Sequence, residues 1–353
     1  MRLLWVGNEI LPAMTTLTSP HDLLAAIPFL IGYHPTNSLV MVSLKEESVG
    51  MAMRVDYPEC QIDDPCFQDQ IDLLVHHLVR DGGDGALILA YVPDTRGDGE
   101  EILNAMATAI FRAQIEVRES LLIWQGRWRS ILCADTDCCP PQGRQLPELA
   151  TSNFAVEQVV QGRQMPFNTV EEMSDSIASL PLARDAQFIA QVNLNRVDEN
   201  SPNIRGLQRD GALCIIDLVS RFIAGSMGTD ITADQELSAR VVGRLSDIQI
   251  RDFALGAHDE ATRDIYAMMW RYLIRIAPVG FVAPIACLLA VLSYERGEGA
   301  LANRALERAT HDDPSYSLTT LLGRVFSAGW PPESFSAMRK ELHPKVCATI
   351  FDH

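Results

Sequence analysis

"LVMVSLKEESVGMAMRVDY", residues 39–57, decides the fold. Its first part is an apolar, β-prone run, and "KEES" supplies a turn. In the second part Val49, Met51, Met53 and Val55 alternate with Gly50, Ala52, Arg54 and Asp56. That period of two belongs to a half-buried strand, here with Arg54 and Asp56 on its other face. The stretch is therefore a β-hairpin.

Upstream, Ser19-Pro20-His21-Asp22 places a capping Ser before a Pro at the first helical position and an acid at the third, which starts a helix running to about Leu30. Gly32 then releases the chain through "GYHPTNS" into the hairpin. Downstream, Ile71, Leu74, Val75 and Leu78 share one face of a helix over residues 65–80. "ALILAYVP" reads as an apolar strand and residues 99–113 as a second helix; "IEVRESLLIW", "QG" and "RWRSILC" form a hairpin with a two-residue turn. The order ββαβαββ implies a mixed sheet with at least one crossover helix, covered on at least one face.

Strand signals stop near Ser152. The fold expected is an α/β domain over residues 14–150 followed by an all-helical domain over 151–353, with residues 1–13 as a leader. A chain of 353 residues is long enough for two such cores. Residues 212–224, "ALCIIDLVSRFIA", are apolar nearly all round and are expected as a central helix. Residues 276–294 carry no charge, but Pro278, Gly280 and Pro284 split them into a loop and a short buried helix rather than a membrane span. The balance of 29 basic against 46 acidic residues gives a net charge of −17 and argues against a nucleic-acid partner. The start of the chain reads as no secretory signal, so a cytoplasmic protein is expected.

"CADTDCCPP", residues 133–141, concentrates the chemistry. Cys133, Cys138 and Cys139 sit at a strand exit, whereas Cys214, Cys287 and Cys347 lie in helical patterns as small core residues, and Cys60 and Cys66 flank a loop. Eight cysteines in a cytoplasmic chain are expected as reduced thiols. Three readings of the cluster stay open: a zinc site completed by Asp135, Asp137 or His34, a thiolate activated by Arg127 or Arg129, and a turn whose sulfurs pack on Pro140 and Pro141. A second group, His34, Ser38, Arg54 and Asp56 with Arg127, is a candidate ligand site if the loop before the first strand meets the end of the second. A Ser/His/Asp set suggests acyl transfer, but no G-x-S-x-G elbow is present, and Arg54 and Asp56 also suit an ion pair on a sheet face. "DGGDG" and "DTRGDGE" lack the ladder of a calcium loop, and neither phosphate-binding glycine motif occurs.

Two resemblances follow. The placing of Leu289, Ala290, Gly297, Ala302, Leu306, Ala309 and Pro314 is similar to a tetratricopeptide repeat, which implies a helical hairpin near residues 286–328. "LTSPHDLLAAIPFLIGYHPTNSLVMVSL", "MRVDYP", "GRWRSILCADTDCCPPQG", "GALANRALERATHDDPSYSL" and "AGWPP" together resemble domain-of-unknown-function family 4192 from about Leu17 to Pro332. That resemblance implies that His34-Pro35, Ser38, Arg54, Asp56, Gly126-Arg127-Trp128 and the cysteines recur in the family; it implies no reaction. The function expected is binding or regulation, with a small ligand on the α/β domain and a protein partner on the helical one. The alternative is an enzyme using zinc or a thiolate at Cys133, Cys138 and Cys139, assisted by His34 and Asp56.

Overall fold

Ser19 opens α1 (Pro20–Ile31) by accepting the Asp22 N–H, and Gly32 ends the helix in the left-handed region at φ 93, a conformation that costs glycine nothing. This computed structural model describes residues 19–46, 48–149, 152–161 and 163–351. The leader expected at residues 1–13 lies outside them.

The quoted hairpin forms as read. β1 (Ser38–Lys45) and β2 (Ser48–Asp56) pair antiparallel from Ser38↔Asp56 to Lys45↔Ser48. Every residue of β1 from Ser38 to Ser43 is buried, so both its faces are covered. α2 (Pro65–Asp81) buries Phe67, Ile71, Leu74 and Leu78. β3 (Gly85–Tyr91) then pairs antiparallel with β1 and is buried from Gly85 to Ala90. α3 (Gly99–Arg112) crosses to β4 (Glu116–Trp124), which lies parallel to β3, the pairing that a crossover allows. Gln125 and Gly126, with φ 47 and 71, make the two-residue turn into β5 (Arg127–Ser130); positive φ at both positions is the hairpin-turn requirement. A short β6 (Arg144–Gln145) is added beyond it, giving one mixed sheet in the order β2-β1-β3-β4-β5-β6.

The helical run read from residue 151 starts inside the first compact unit, which ends at Met173 and takes in Arg296–Ala300. α4 (Asn153–Val160) sets Phe154 and Ala155 against Ala25 and Ala26 of α1, and Tyr33 bridges Phe167, which ties the segment to the α/β core. α5 (Val170–Asp175) closes that stretch. Cys60 and Cys66 are joined by a disulfide, leaving six free cysteines rather than the eight expected. The turn in which Gln61 and Asp64 exchange backbone and carboxylate hydrogen bonds folds Cys60 back onto the start of α2.

From Ala186 onward the described regular elements are helices: α6 (Ala186–Leu194), α7 (Ile204–Ile223), α8 (Ile231–Arg244), α9 (Ile248–Gly256), α10 (Arg263–Ile276), α11 (Val282–Glu295), α12 (Gly299–Asp312), α13 (Ser317–Ser327) and α14 (Pro332–Phe351). The central helix is α11, not the 212–224 stretch. α11 is buried at every position from Val282 to Tyr294 and packs against α9, α10, α13 and α14, whereas α7 leaves Leu213, Ile216 and Ile223 exposed. An apolar run on α7 was misread because length of apolar sequence does not tell one buried face from two. Among the described residues, no helix is long and apolar enough to cross a membrane.

Polar groups hold both ends of α11. The Asp312 carboxylate accepts the N–H groups of Gly280, Val282 and Ala283 at 2.6, 2.9 and 2.9 Å, a cap supplied from another helix. At the other end Glu295 meets His258 Nε2 at 3.1 Å and Arg339 Nε at 2.8 Å, with all three side chains under 5% exposed. Burial holds His258 below its ordinary pKa despite the hydrogen bond to Glu295. Burial acts to raise Glu295, but the bonds from His258 and Arg339 outweigh it and leave the carboxyl below its ordinary range. Both shifts carry the same sign: protons bind more weakly in the folded state, so stability is full above the ordinary histidine value of 6.5 and falls as pH drops through it, then falls again below the carboxyl value of 4.5. Urea unfolding of the second unit is expected at a lower midpoint near pH 5 than near pH 7, with His258→Gln removing most of that difference. Glu295→Ala is expected to cost about 3–5 kcal/mol at neutral pH, because Arg339 stays buried without its partner.

Candidate metal centre

Pairing at both ends pins the cysteine loop. β5 leaves the sheet at Ser130, and the chain returns as β6 opposite it, with Arg127↔Gln145 and Trp128↔Arg144 in register. Between them Asp135 Oδ1 accepts the N–H groups of Asp137 at 2.8 Å and Cys138 at 3.3 Å, an Asx-type turn. The Cys139 N–H returns to the Asp135 carbonyl at 2.7 Å. Outside this turn the Arg144 guanidinium donates to the Cys138 carbonyl at 2.5 Å and the Asp137 carbonyl at 2.8 Å. Arg127 Nη1 holds the Gly143 carbonyl at 2.8 Å.

The result is that the sulfurs of Cys133, Cys138 and Cys139 all lie within 4.8 Å of one another. A tetrahedral zinc with bonds of about 2.3 Å sets its sulfurs roughly 3.8 Å apart, so closure needs a shift of about an ångström. The packed-turn reading fits less well. Cys139 is buried, but Cys133 is half-buried, and Cys138 and Pro141 are exposed. The activated-thiolate reading loses its cations, since Arg127 is engaged with Gly143 and Arg129 with Glu100. Burial, with hydrogen bonding of its S–H to Cys133 and Cys138, pushes the Cys139 thiol up to about 11. A buried thiol among other thiols ionises poorly until a cation joins it.

The second candidate group does not gather around the cluster. Arg54 pairs with Asp56 on the β2 face and donates to the Thr36 carbonyl at 3.4 Å. Ser38 is fully buried, which keeps its hydroxyl from solvent and substrate, and among the described residues that hydroxyl has no hydrogen-bond partner. His34 is half-buried, its pKa lowered by that burial, and its N–H is held by the Phe167 carbonyl at 3.0 Å. In the sheet order β1 is three strand spacings from β5 and β2 is four, on the order of 14 and 19 Å. Arg127 therefore stands apart from Ser38, Arg54 and Asp56. Among the described residues no histidine or carboxylate converges with the three sulfurs, so neither His34 nor Asp56 stands as a donor beside them.

Two features escaped the sequence reading. Arg144 was not singled out, because nothing in its spacing shows that β6 would carry it back over the loop. "DTRGDGE" was weighed only as a calcium loop, whereas it forms a cluster in which Tyr57 Oη donates to Asp98 at 2.8 Å and Arg96 pairs with Asp98 while lying 5.5 Å from the Tyr57 ring centre. The hydrogen bond from Arg96 holds the Asp98 carboxyl below its ordinary value.

The architecture and the loop now stand beside a family match that runs over residues 20–333, to the family described as Domain of unknown function (DUF4192). The chain belongs to that family. No curated protein and no solved structure was found to match it. The family match takes in α1 through α13 and so contains the whole cysteine loop.

Removal of the Asp135 carboxylate tests the loop architecture. Asp135→Ala is expected to free the Asp137 and Cys138 amides, raising their hydrogen-exchange rates, at a cost of about 0.5–1.5 kcal/mol confined to this loop. Unchanged exchange at both amides would show that the turn is held by other bonds.

Proposed function

We propose that the chain is a binding or regulatory protein whose α/β unit is organised by one zinc-class ion at Cys133, Cys138 and Cys139. The observation that carries this reading is the convergence of three sulfurs at a strand exit where two of them face solvent. Sulfur donors select zinc over magnesium or calcium, and a divalent cation removes the cost of ionising three adjacent thiols. Bound there, the ion would tie the far end of the loop as the β5–β6 pairing ties its base. The alternative of an enzyme assisted by His34 and Asp56 draws no support from the strand order.

The helical unit is proposed to contact a protein partner. The exposed Leu213, Ile216 and Ile223 on one side of α7 support that reading, since single apolar residues on a surface are common but a helical stripe is less so. The cytoplasm is the proposed location, where six free cysteines are at home.

Metal content and thiol count on the full chain, purified without chelator or oxidant, test the metal reading. The expected outcome is about one zinc per chain with Cys133 and Cys138, the two accessible cysteines of the cluster, protected from alkylation; both are expected to be lost in Cys138→Ser, where Cys133 becomes reactive. A metal-free chain with Cys133 and Cys138 freely alkylated would overturn it.

A further inference from the structure

We propose that the ion at the cysteine loop keeps one open coordination position, and that a small exogenous thiol occupies it in exchange for solvent. This rests on the metal reading above and deepens it. Among the described residues the convergent donor atoms stop at three sulfurs, while zinc in such a set takes four donors in a tetrahedron. Asp135 Oδ1 is turned onto the backbone N–H groups of Asp137 and Cys138. His34, in the loop before β1, is not among the convergent donors. His21 packs edge-on against Trp128 at 5.2 Å between ring centres and is not among the convergent donors.

Burial sets the direction of the opening. Cys139 lies at the floor, Cys133 is half-buried and Cys138 is exposed, so the three sulfurs form a tripod whose free side faces solvent. Charge and softness set the occupant. Three thiolates and a divalent ion sum to one negative charge, and the Arg144 guanidinium on the loop carbonyls offsets it. A fourth thiolate then leaves one net negative charge on the set, carried on the side where Cys138 is exposed to solvent. A soft ion in a sulfur field ranks thiolate above water. In the exchange the S–H proton leaves to solvent, the sulfur bonds the metal and one water departs; no electron is transferred.

The test is visible absorption of the full chain loaded with cobalt(II) in place of zinc and titrated with 2-mercaptoethanol. Sulfur-to-cobalt charge-transfer absorption is expected to grow by about a third, four sulfurs replacing three, saturably and with one cobalt retained per chain. A cobalt-loaded chain whose bands ignore the thiol would overturn the open position and leave the metal reading intact. So would bands that change in His21→Ala or Asp137→Asn before any thiol is added, because the protein would then supply the fourth donor. One cobalt shared by two chains would also overturn it. A chain that binds no cobalt through sulfur overturns both readings.

Discussion

Burial of β1 and β3 on both faces is the constraint from which the rest of the α/β unit follows. A strand covered on both sides can carry almost no free polar side chain, and Ser38 and Ser43, buried within β1, show what it tolerates. Polar chemistry is thereby pushed to the edges of the sheet and the loops beyond its ends. On one flank Arg54 and Asp56 pair on β2; on the other the chain leaves β5 and returns as β6. The same constraint that makes the core holds these two flanks apart, and so separates a candidate ligand group from the cysteines.

The two units meet the problem of clustered ionisable groups in opposite ways. Glu295, His258 and Arg339 are buried together, and each charge finds a partner within the protein. The cysteine loop gathers three groups of one kind, with its Arg144 guanidinium held on backbone carbonyls rather than on the sulfurs, and its buried member is pushed up to about 11. Hydrogen bonds accepted by Asp135 and donated by Arg144 hold the backbone of the loop without discharging the sulfurs. A divalent ion is the component that would make this arrangement electrostatically comfortable.

Much of the fold was legible because its signals are local. Alternation at Val49, Met51, Met53 and Val55, the Ser19-Pro20 helix start and the Gln125-Gly126 turn each specify backbone within a few residues, and each formed as read. The strand order was not legible in that way. ββαβαββ allows several arrangements of the hairpins around the crossover, and the distance from Arg127 to Arg54 depends on which one forms. The metal candidates Cys133, Cys138 and Cys139 could be named from crowding alone, but their convergence depends on Arg144 and Asp135, whose roles arise only once β6 pairs. For α7 and α11 the sequence held the answer less openly. Both are apolar, and only the charge-free run through Tyr294 marks α11 as the one buried on every side.

X-ray absorption at the zinc edge of the metal-loaded chain bears most directly on the central claim. The account predicts a shell of three sulfur scatterers at about 2.3 Å, absent from Cys138→Ser, which retains no ion. A shell made of nitrogen and oxygen alone, or one unchanged by that substitution, would place the metal elsewhere and contradict it.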